Sequence, residues 1–269
     1  MMISFYKYQG TGNDFIILDN RDCLFPKNNN SLIASLCDRH FGIGADGLIL
    51  LEDDENSDFK MVYFNADGNE STMCGNGGRC MVAFAKKLQL FDKTTKFLAI
   101  DGIHHAKIEA STVSLQMIDV HEVKVSKKSI YIDTGSPHHV EIVDHLEGFS
   151  VVEQARKIIN TNYSTEGCNI NFVEQLNDET FKVRTYERGV EDETLACGTG
   201  VTAVSIAMHK MNKSSSNHIK LVVLGGNLEV QFNAHQGRYT NIVLSGPATF
   251  VFEGTIAISW WFYTEKKLD

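Results

Sequence analysis

The feature that most restricts the fold of this chain is an internal repeat. The octapeptide at positions 70–77, ESTMCGNG, matches the octapeptide at 193–200, ETLACGTG, with an offset of 123 positions. One spacing that also aligns several distant anchors indicates two copies of one ancestral unit. We therefore predict two pseudo-symmetric domains, residues 1–116 extended by the tail 258–269, and residues 117–257. The other anchors at this offset are Thr11-Gly12 with Thr134-Gly135, Gly44 with Gly167, Tyr63 with Tyr186, and Gly102 with Gly225.

Hydrophobic periodicity gives both halves the same order of elements. Two strands around a glycine turn precede a helix, two more strands, the repeated motif, a second helix rich in small residues, and further strands. This pattern predicts an α+β fold in which each domain is a mixed, largely antiparallel sheet or barrel around a central helix. We expect the active site in the interdomain cleft and the tail aromatics Trp260 and Trp261 on the first domain. The central helices are predicted at about 77–88 and 200–211, and late strands at 241–244 and 249–252.

Charge and composition argue against several classes of partner. The chain has 25 basic and 34 acidic residues, which gives a formal net charge of −9, and it contains no run of Lys or Arg. Such a chain lacks the positive patch that would bind nucleic acids or anionic membranes. No apolar segment approaches the roughly 18 residues of a membrane-spanning helix, and the N-terminus lacks the pattern of a signal peptide. We predict a cytoplasmic protein, in which thiols stay reduced.

Two of the six cysteines have unusual positions. The spacing of the six contains no Cys-x-x-Cys pair and no zinc-type Cys/His cluster, so no metal site is expected. Most buried cysteines are small apolar residues, but Cys74 and Cys197 each lie at a repeated turn between a strand and a helix. The free amides and dipole of a helix N-terminus favour negative charge, so we expect a lowered thiol pKa there. The following glycines let backbone N–H groups bind a carboxylate closely.

Two such turns facing one cleft provide what inversion of a carbon centre requires. A base removes the α-proton from one face while an acid delivers a proton to the other. Amides at the helix ends and a dry site can stabilise the developing enolate, so no cofactor is expected. Alternatives are a phosphate-binding loop at residues 75–78, a Cys74–Cys197 redox couple, a purely structural pair of turns, and a carboxylate-binding protein without activity. The loop lacks the Gly-Lys-Ser/Thr ending of a P-loop.

At these residues the chain resembles the diaminopimelate epimerase family over nearly its whole length. The two cysteine motifs are the most specific part of the resemblance. The matching segments are residues 10–15 (GTGNDF), 65–68 (NADG), 73–80 (MCGNGGRC), Pro137-His138, Asn169, 187–190 (ERGV) and 194–200 (TLACGTG).

The resemblance implies a cytoplasmic, homodimeric and cofactor-independent isomerase of lysine and peptidoglycan precursor biosynthesis, which interconverts LL- and meso-diaminopimelate. Cys74 then matches the proton acceptor and Cys197 the donor, with the roles exchanged in the reverse direction. The amides that hold the carboxylate at the reacting centre match Gly75, Asn76, Gly198 and Thr199.

The resemblance also assigns the rest of the site. Residues that match the recognition of the distal L-amino-acid group are Asn13, Asn65, Asn169 and Arg188, while His138 and Glu187 match residues that tune the thiols. Glu187 is expected at the substrate as well. Without the resemblance, His138 would be interpreted as a structural loop histidine and Glu187 as an ion-pair partner of Arg188. The chain departs from the common family pattern at Gly47, where many members have Gln, and at Ser136, where many have Asn and a substrate contact is still expected. The nearest alternative is a proline or hydroxyproline racemase of the same fold.

Overall fold

The structure, a computed structural model, describes residues 1–258. It divides into two compact units, of which the first combines residues 1–113 with the segment that begins at Ala248, and the second is Ser114–Pro247. The expected packing of Trp260 and Trp261 lies outside the described residues. Within the part of the chain that is described, no helix is long and apolar enough to cross a bilayer.

The first unit is a mixed sheet with helices on both of its faces. Its elements are β1 (Met2–Gly10), β2 (Asn13–Asp19), α1 (Asn30–Cys37), β3 (Gly47–Glu52), β4 (Phe59–Asn65), β5 (Glu70–Ser71), α2 (Gly75–Lys87), β6 (Thr94–Ala99), β7 (Gly102–Glu109) and β18 (Thr249–Ala257). Antiparallel pairing joins β18 to β1, β1 to β2, β3 to β4, β4 to β5 and β6 to β7, whereas β2–β3 and β4–β6 are parallel.

The second unit repeats the pairing pattern of the first. Its elements are β8 (Thr112–Gln116), at the division between the units, β9 (Val123–Val125), β10 (Ser129–Asp133), β11 (Pro137–Ile142), α3 (Val151–Asn162), β12 (Asn169–Gln175), β13 (Thr180–Glu187), β14 (Asp192–Thr194), α4 (Gly198–Lys210), β15 (His218–Val223), β16 (Gly226–His235) and β17 (Arg238–Pro247). The antiparallel pairs β10–β11, β12–β13, β13–β14 and β15–β16 and the parallel pairs β11–β12 and β13–β15 reproduce those of the first unit, and β9 pairs with β10 as β18 does with β1. A further antiparallel pair joins β16 to β17. The predicted duplication is thereby confirmed.

The central helices α2 and α4 are buried against the sheets, as the small residues in both had indicated. Ten of the 13 residues are buried in each helix. In the first unit, α1 covers the other face of the sheet with Leu32, Ile33 and Leu36. All six residues of β3 are therefore buried, as is typical of a strand with a helix on each face.

The boundary between the units differs from the one drawn on the sequence. The repeat assigned strand 249–252 to the second domain, but β18 pairs with β1 from Met2↔Ala257 to Gln9↔Thr249 and so completes the first unit. The offset between two copies aligns residues by ancestry, and it does not indicate which copy supplies the hydrogen-bonding partner of a strand. The described part of the C-terminal segment is thus an integral strand of the first sheet.

Candidate active site

Each repeated cysteine is the N-cap residue of a central helix. Cys74 precedes α2 with φ −90° and ψ 129°, and Cys197 precedes α4 with φ −120° and ψ 114°; neither side chain caps its helix by a hydrogen bond. Their carbonyls accept the first helical hydrogen bonds, from Gly78 N at 2.7 Å and Val201 N at 3.0 Å. Both sulfur atoms therefore belong to residues at a helix N-terminus, where amide groups and the helix dipole favour an anion.

Glycines bring both turns close to the sheet beneath them. A Cβ atom on Gly77 would lie 3.2 Å from Ile49 Cδ1, and one on Gly200 would lie 2.6 Å from Asn171 Oδ1 and 3.3 Å from Cys197 Sγ. A side chain at position 200 would push α4 away from β12. The third residue after each cysteine is therefore glycine for reasons of packing as well as for access to an anion.

In the first unit, the structure brings Asn13 and Asn76 to Cys74. Asn13 Nδ2 donates to Asp46 Oδ2 at 2.6 Å, so that its Oδ1 accepts from Asn76 Nδ2 at 3.2 Å and from the Cys74 thiol at 3.7 Å. The Thr11-Gly12 turn before Asn13 has positive φ values of 52° and 87°. This turn positions the amide of Asn13 beside the N-terminal end of α2.

Arg79 was not singled out from the sequence. Its side chain is fully buried in the second turn of α2. The guanidinium donates to Asn76 Oδ1 at 3.0 Å, to Thr11 Oγ1 at 3.1 Å and to Gly75 O at 3.3 Å. Burial lowers the pKa of Arg79, and the nearby Cys80 and Cys74 oppose that shift. The signal in the sequence was the place of this charged residue within the 73–80 motif, at the start of the predicted central helix.

A network of four charged side chains supports Asn13 through its hydrogen bond to Asp46. Arg39 binds both Asp14 and Asp46 at 2.7 Å, and the nearly buried Lys7 binds Asp14 at 2.6 Å. Burial of Asp14 acts to raise its pKa, but hydrogen bonds from Arg39 and Lys7 dominate and lower it to about 2. Asp46, which orients the amide of Asn13, is thus held in place by a balanced set of charges.

In the second unit, threonine takes the place of asparagine beside the cysteine. Thr199 Oγ1 lies 3.4 Å from Cys197 Sγ. The backbone carbonyl of Thr199 accepts from Thr134 Oγ1 at 2.8 Å, which ties the first turn of α4 to the loop that matches Thr11-Gly12 in the first unit. The backbone arrangement at the two helix ends is therefore similar, but the polar neighbours of the two sulfur atoms differ.

Asn169 joins two other predicted residues. Its Nδ2 donates to Ser136 Oγ at 2.8 Å and to Pro137 O at 3.1 Å, and its Oδ1 accepts from Arg188 N at 2.9 Å. The exposed guanidinium of Arg188 donates to Glu166 O at 3.2 Å. Ser136 therefore holds Asn169, while Asn169 fixes the backbone from which the Arg188 side chain extends.

His138 and Glu187 have different surroundings. His138 is fully buried; burial, and secondarily the charge of Arg188, lowers its pKa from the ordinary 6.5 to about 3, so the imidazole is neutral near pH 7. Glu187 accepts from Thr194 Oγ1 at 2.9 Å. This contact links the end of β13 to β14, the strand that leads to Cys197.

Asn65 and Gly47 pair across β3 and β4 at the end of the first sheet. Asn65 is exposed and lies opposite Gly47 in the register. A Cβ atom on Gly47 would lie 2.6 Å from Tyr63 Cε2 and from Phe64 O. The ring of Tyr63 thus fills the space beside this glycine, where many family members have a glutamine side chain.

The other cysteines have the surroundings of structural residues. Burial raises the pKa of Cys37, Cys80 and Cys168 to about 12, and Cys23 is exposed. Cys23, Cys37, Cys80 and Cys168 are free thiols in the structure. Within residues 1–258, no group of three or more His, Cys, Asp or Glu side chains is arranged to hold a metal ion.

Comparison with known proteins gives a consistent result. The family model described as diaminopimelate epimerase matches residues 5–123 and 130–251. The diaminopimelate epimerase of Flavobacterium psychrophilum is 59% identical over 253 residues, which cover 93% of this chain and 99% of that protein. The enzyme of the same name from Chlorobaculum tepidum is 39% identical over 259 residues, with the same two coverages.

Solved structures with low sequence identity share the fold. A PhzF-family phenazine biosynthesis protein of Bacillus anthracis matches with a TM-score of 0.73 at 14% identity, over 96% of this chain and 100% of that one. A hydroxyproline epimerase of Agrobacterium vitis matches with a TM-score of 0.66 at 14% identity, over 96% and 93%. On the match of the family model and on these close relatives, the chain belongs to the diaminopimelate epimerase family.

Proposed function

We propose that this chain is a cofactor-independent epimerase that interconverts LL- and meso-diaminopimelate by a two-base mechanism. The observation that carries the proposal is the N-cap cysteine that begins the buried central helix of each unit. The relatives of the chain, which are named diaminopimelate epimerase, supply the substrate. The same resemblance supports a cytoplasmic homodimer that acts in lysine and peptidoglycan precursor biosynthesis.

In the proposed reaction, the Cys74 thiolate removes the α-proton from one face and the Cys197 thiol delivers a proton to the opposite face. In the reverse direction, the two sulfur atoms exchange roles. The mechanism requires both helix ends to bind the same substrate molecule. Its reacting carboxylate would accept hydrogen bonds from the backbone amides of Gly75, Asn76, Gly198 and Thr199, the first turns of the two helices.

The main chemical difficulty is the weak acidity of the α-proton. An amino-acid α-proton is less acidic than a thiol by roughly 10 units, or ~14 kcal/mol at about 1.4 kcal/mol per unit. The helix-end amides lower this barrier because they stabilise the charge that develops on the carboxylate as the enolate forms. Exclusion of water from the site strengthens the same hydrogen bonds.

The distal amino-acid group would bind the polar residues at the strand ends. Asn13 and Asn65 come from the first unit, and Asn169 and Arg188 from the second. Arg188 suits a carboxylate because its guanidinium can donate two parallel hydrogen bonds. Ser136 would act through Asn169, to which it is bonded at 2.8 Å, and Glu187 would contact the substrate from the end of β13.

Deuterium exchange tests the proposal directly. In D2O, the purified chain should incorporate one deuterium at the inverted α-carbon of diaminopimelate in the initial turnovers and a second one as the LL and meso isomers approach equilibrium, as measured by mass spectrometry and chiral chromatography. Proline and 4-hydroxyproline serve as parallel substrates. Exchange with either of them and not with diaminopimelate would replace the proposed substrate, and exchange with none would favour a binding protein.

A further inference from the structure

A buried ring nitrogen in the second unit has an unmet hydrogen-bonding requirement. Within residues 1–258, two buried side-chain nitrogens have no hydrogen-bond partner, Nε2 of His138 and Nε2 of His139. His139 Nε2 still lies 3.5 Å from the carboxylate of Glu141. His138 is fully buried on β11. A buried polar atom without a partner costs about 1–3 kcal/mol, so its presence calls for a physical reason.

The neighbouring amide of Asn171 has only one possible orientation. One of its terminal atoms lies 3.0 Å from the backbone carbonyl of His139, which can only accept, so that atom is Nδ2. The other atom, Oδ1, accepts from Thr185 Oγ1 at 2.9 Å. Asn171 is itself fully buried, and water therefore cannot replace these partners.

This orientation determines where His138 carries its proton. Asn171 Nδ2 lies 3.1 Å from His138 Nδ1, and because Nδ2 is a donor, Nδ1 must accept. The single proton of the neutral ring is therefore on Nε2. Protonation of the ring would turn Nδ1 into a second donor facing Asn171 Nδ2, which opposes the charged form in addition to burial.

The amide of Asn171 lies beneath the first turn of α4. Asn171 Oδ1 and Cys197 Sγ are 2.6 Å and 3.3 Å, respectively, from the point at which a Cβ atom of Gly200 would stand. The orientation of Asn171 is thus fixed at the helix end that carries the thiol. The Nε2–H of His138, on the opposite edge of the ring from the nitrogen that faces Asn171, is a buried donor without a partner, and such a donor is suited to an anionic acceptor.

From these contacts we infer that Asn171 is a positioning residue, which holds His138 as the Nε2–H tautomer so that it donates a hydrogen bond to an anion at the Cys197 end of α4. The catalytic consequence, but not the tautomer itself, rests on the proposed function. His138 then stabilises charge as a neutral donor and transfers no proton. The anion is either the Cys197 thiolate or a carboxylate of the substrate.

Nitrogen-15 NMR of histidine-labelled protein measures the tautomer without reference to activity. The ligand-free wild-type chain should show His138 protonated at Nε2 from pH 5 to pH 8. A ring protonated at Nδ1, or a mixture of both tautomers, would overturn the inference. This measurement needs no variant and is independent of whether diaminopimelate is the substrate.

Substitution of Asn171 separates its orienting role from a structural one. In Asn171→Leu, which removes the donor, His138 should become a mixture of tautomers; in Asn171→Asp, whose carboxylate accepts from Nδ1–H, the ring should gain a proton on Nδ1. Thr185→Val is the matched control, since it removes the contact on the other side of the amide but leaves Nδ2 bonded to His139 O. It should retain the Nε2–H form. An unchanged tautomer in both Asn171 variants would overturn the inference.

The identity of the anion follows from two further titrations. If the acceptor is the thiolate, the His138 Nε2–H resonance should move with pH in the wild type and stay fixed in Cys197→Ala. If it is a carboxylate, the resonance should move on addition of diaminopimelate in both proteins. A resonance that responds to neither would contradict a donor at the site. For folded Asn171→Leu we expect kcat/KM to fall ~10-fold, the value of one oriented hydrogen bond.

Discussion

Asn13 Oδ1 accepts a hydrogen bond from the thiol of Cys74 at 3.7 Å. The corresponding sulfur of the second unit, in Cys197, has a threonine hydroxyl at 3.4 Å as its neighbour. Two helix ends that arose from one ancestral unit thus differ in the groups that contact their sulfur atoms. Such a difference biases which of the two sulfur atoms carries the proton before substrate binds, because two identical thiols would have no preferred proton location.

Removal of either helix-end thiol should abolish epimerisation. We expect Cys74→Ala and Cys197→Ala each to lower kcat by at least about a thousandfold, since each variant lacks the acid or the base of the reaction. The rate of interconversion of the isomers, with circular dichroism as a check on folding, measures the effect. Cys23→Ser is the control, because this exposed cysteine lies outside the site and its substitution should leave the rate unchanged. Appreciable turnover in either alanine variant would exclude the two-base scheme.

Alkylation should distinguish the thiols of the site from those of the core. Iodoacetamide reacts with thiolates, so Cys37, Cys80 and Cys168, with pKa values raised to about 12 by burial, should remain unlabelled in the folded protein at pH 8. Modification of Cys74 should track the loss of activity, and substrate should protect it. Peptide mass spectrometry at successive times provides the measurement. Full activity after complete labelling of Cys74 would contradict its proposed role.

Loss of the buried guanidinium should weaken both the fold and the site. Arg79→Met leaves Asn76 Oδ1, Thr11 Oγ1 and Gly75 O without their donor, so we expect the free energy of unfolding to fall by about 2–4 kcal/mol. We expect kcat/KM to fall as well, because Asn76 is no longer oriented. Urea denaturation and initial rates measure the two effects.

The repeat supplies a matched control for this prediction. Thr202 occupies the position equivalent to Arg79, is also fully buried, and donates only to Gly198 O at 2.9 Å. Thr202→Val should therefore lower the free energy of unfolding by about 1 kcal/mol, the value of one ordinary hydrogen bond. Equal stability losses in Arg79→Met and Thr202→Val would refute the special role of the guanidinium.

The buried neutral His138 should make stability depend on pH in a defined window. Its pKa is about 3 in the folded chain, against 6.5 when unfolded, so the unfolded state binds the additional proton between these values. With respect to His138, the free energy of unfolding is therefore highest above about pH 6.5 and falls as the pH drops toward 3. In His138→Gln, the slope of unfolding free energy against pH between 4 and 6 should be smaller by up to about 1.4 kcal/mol per pH unit.

Urea unfolding at several pH values measures this slope. Asp14, whose pKa is lowered to about 2, affects stability below about pH 4 and so acts outside this window. His139 and His209 also have lowered pKa values, but they are present in both proteins and cancel in the comparison. An identical slope in wild type and His138→Gln would show that His138 is not held neutral.

The sequence predicted the duplication and the order of elements because these depend on local periodicity and on one repeated offset. The helix that follows each cysteine was expected two residues later than it begins, since glycines at positions 75 and 198 obscure the start of a helix. A fixed offset also could not reveal that β18 pairs with β1, because strand pairing is a long-range interaction.

Within the site, the cysteines, Asn13 and Asn76 could be recognised from their motifs. The roles of Arg79, which lies within the 73–80 motif, and of Asn171 could not be recognised, since they depend on burial and on partners from distant strands or turns. Asn171, for example, connects β11 to β13 through His138 and Thr185. A polar residue in a strand has no property in the sequence that distinguishes such a connection from an ordinary surface position.

The pairing of β18 with β1 also determines the order in which the two units can be completed during translation. Residues 249–257 leave the ribosome after the whole of the second unit, yet the first sheet is incomplete without them. The second unit, from Ser114 to Pro247, is continuous in sequence and has all of its strands earlier. The half that is translated first is therefore the last to be finished.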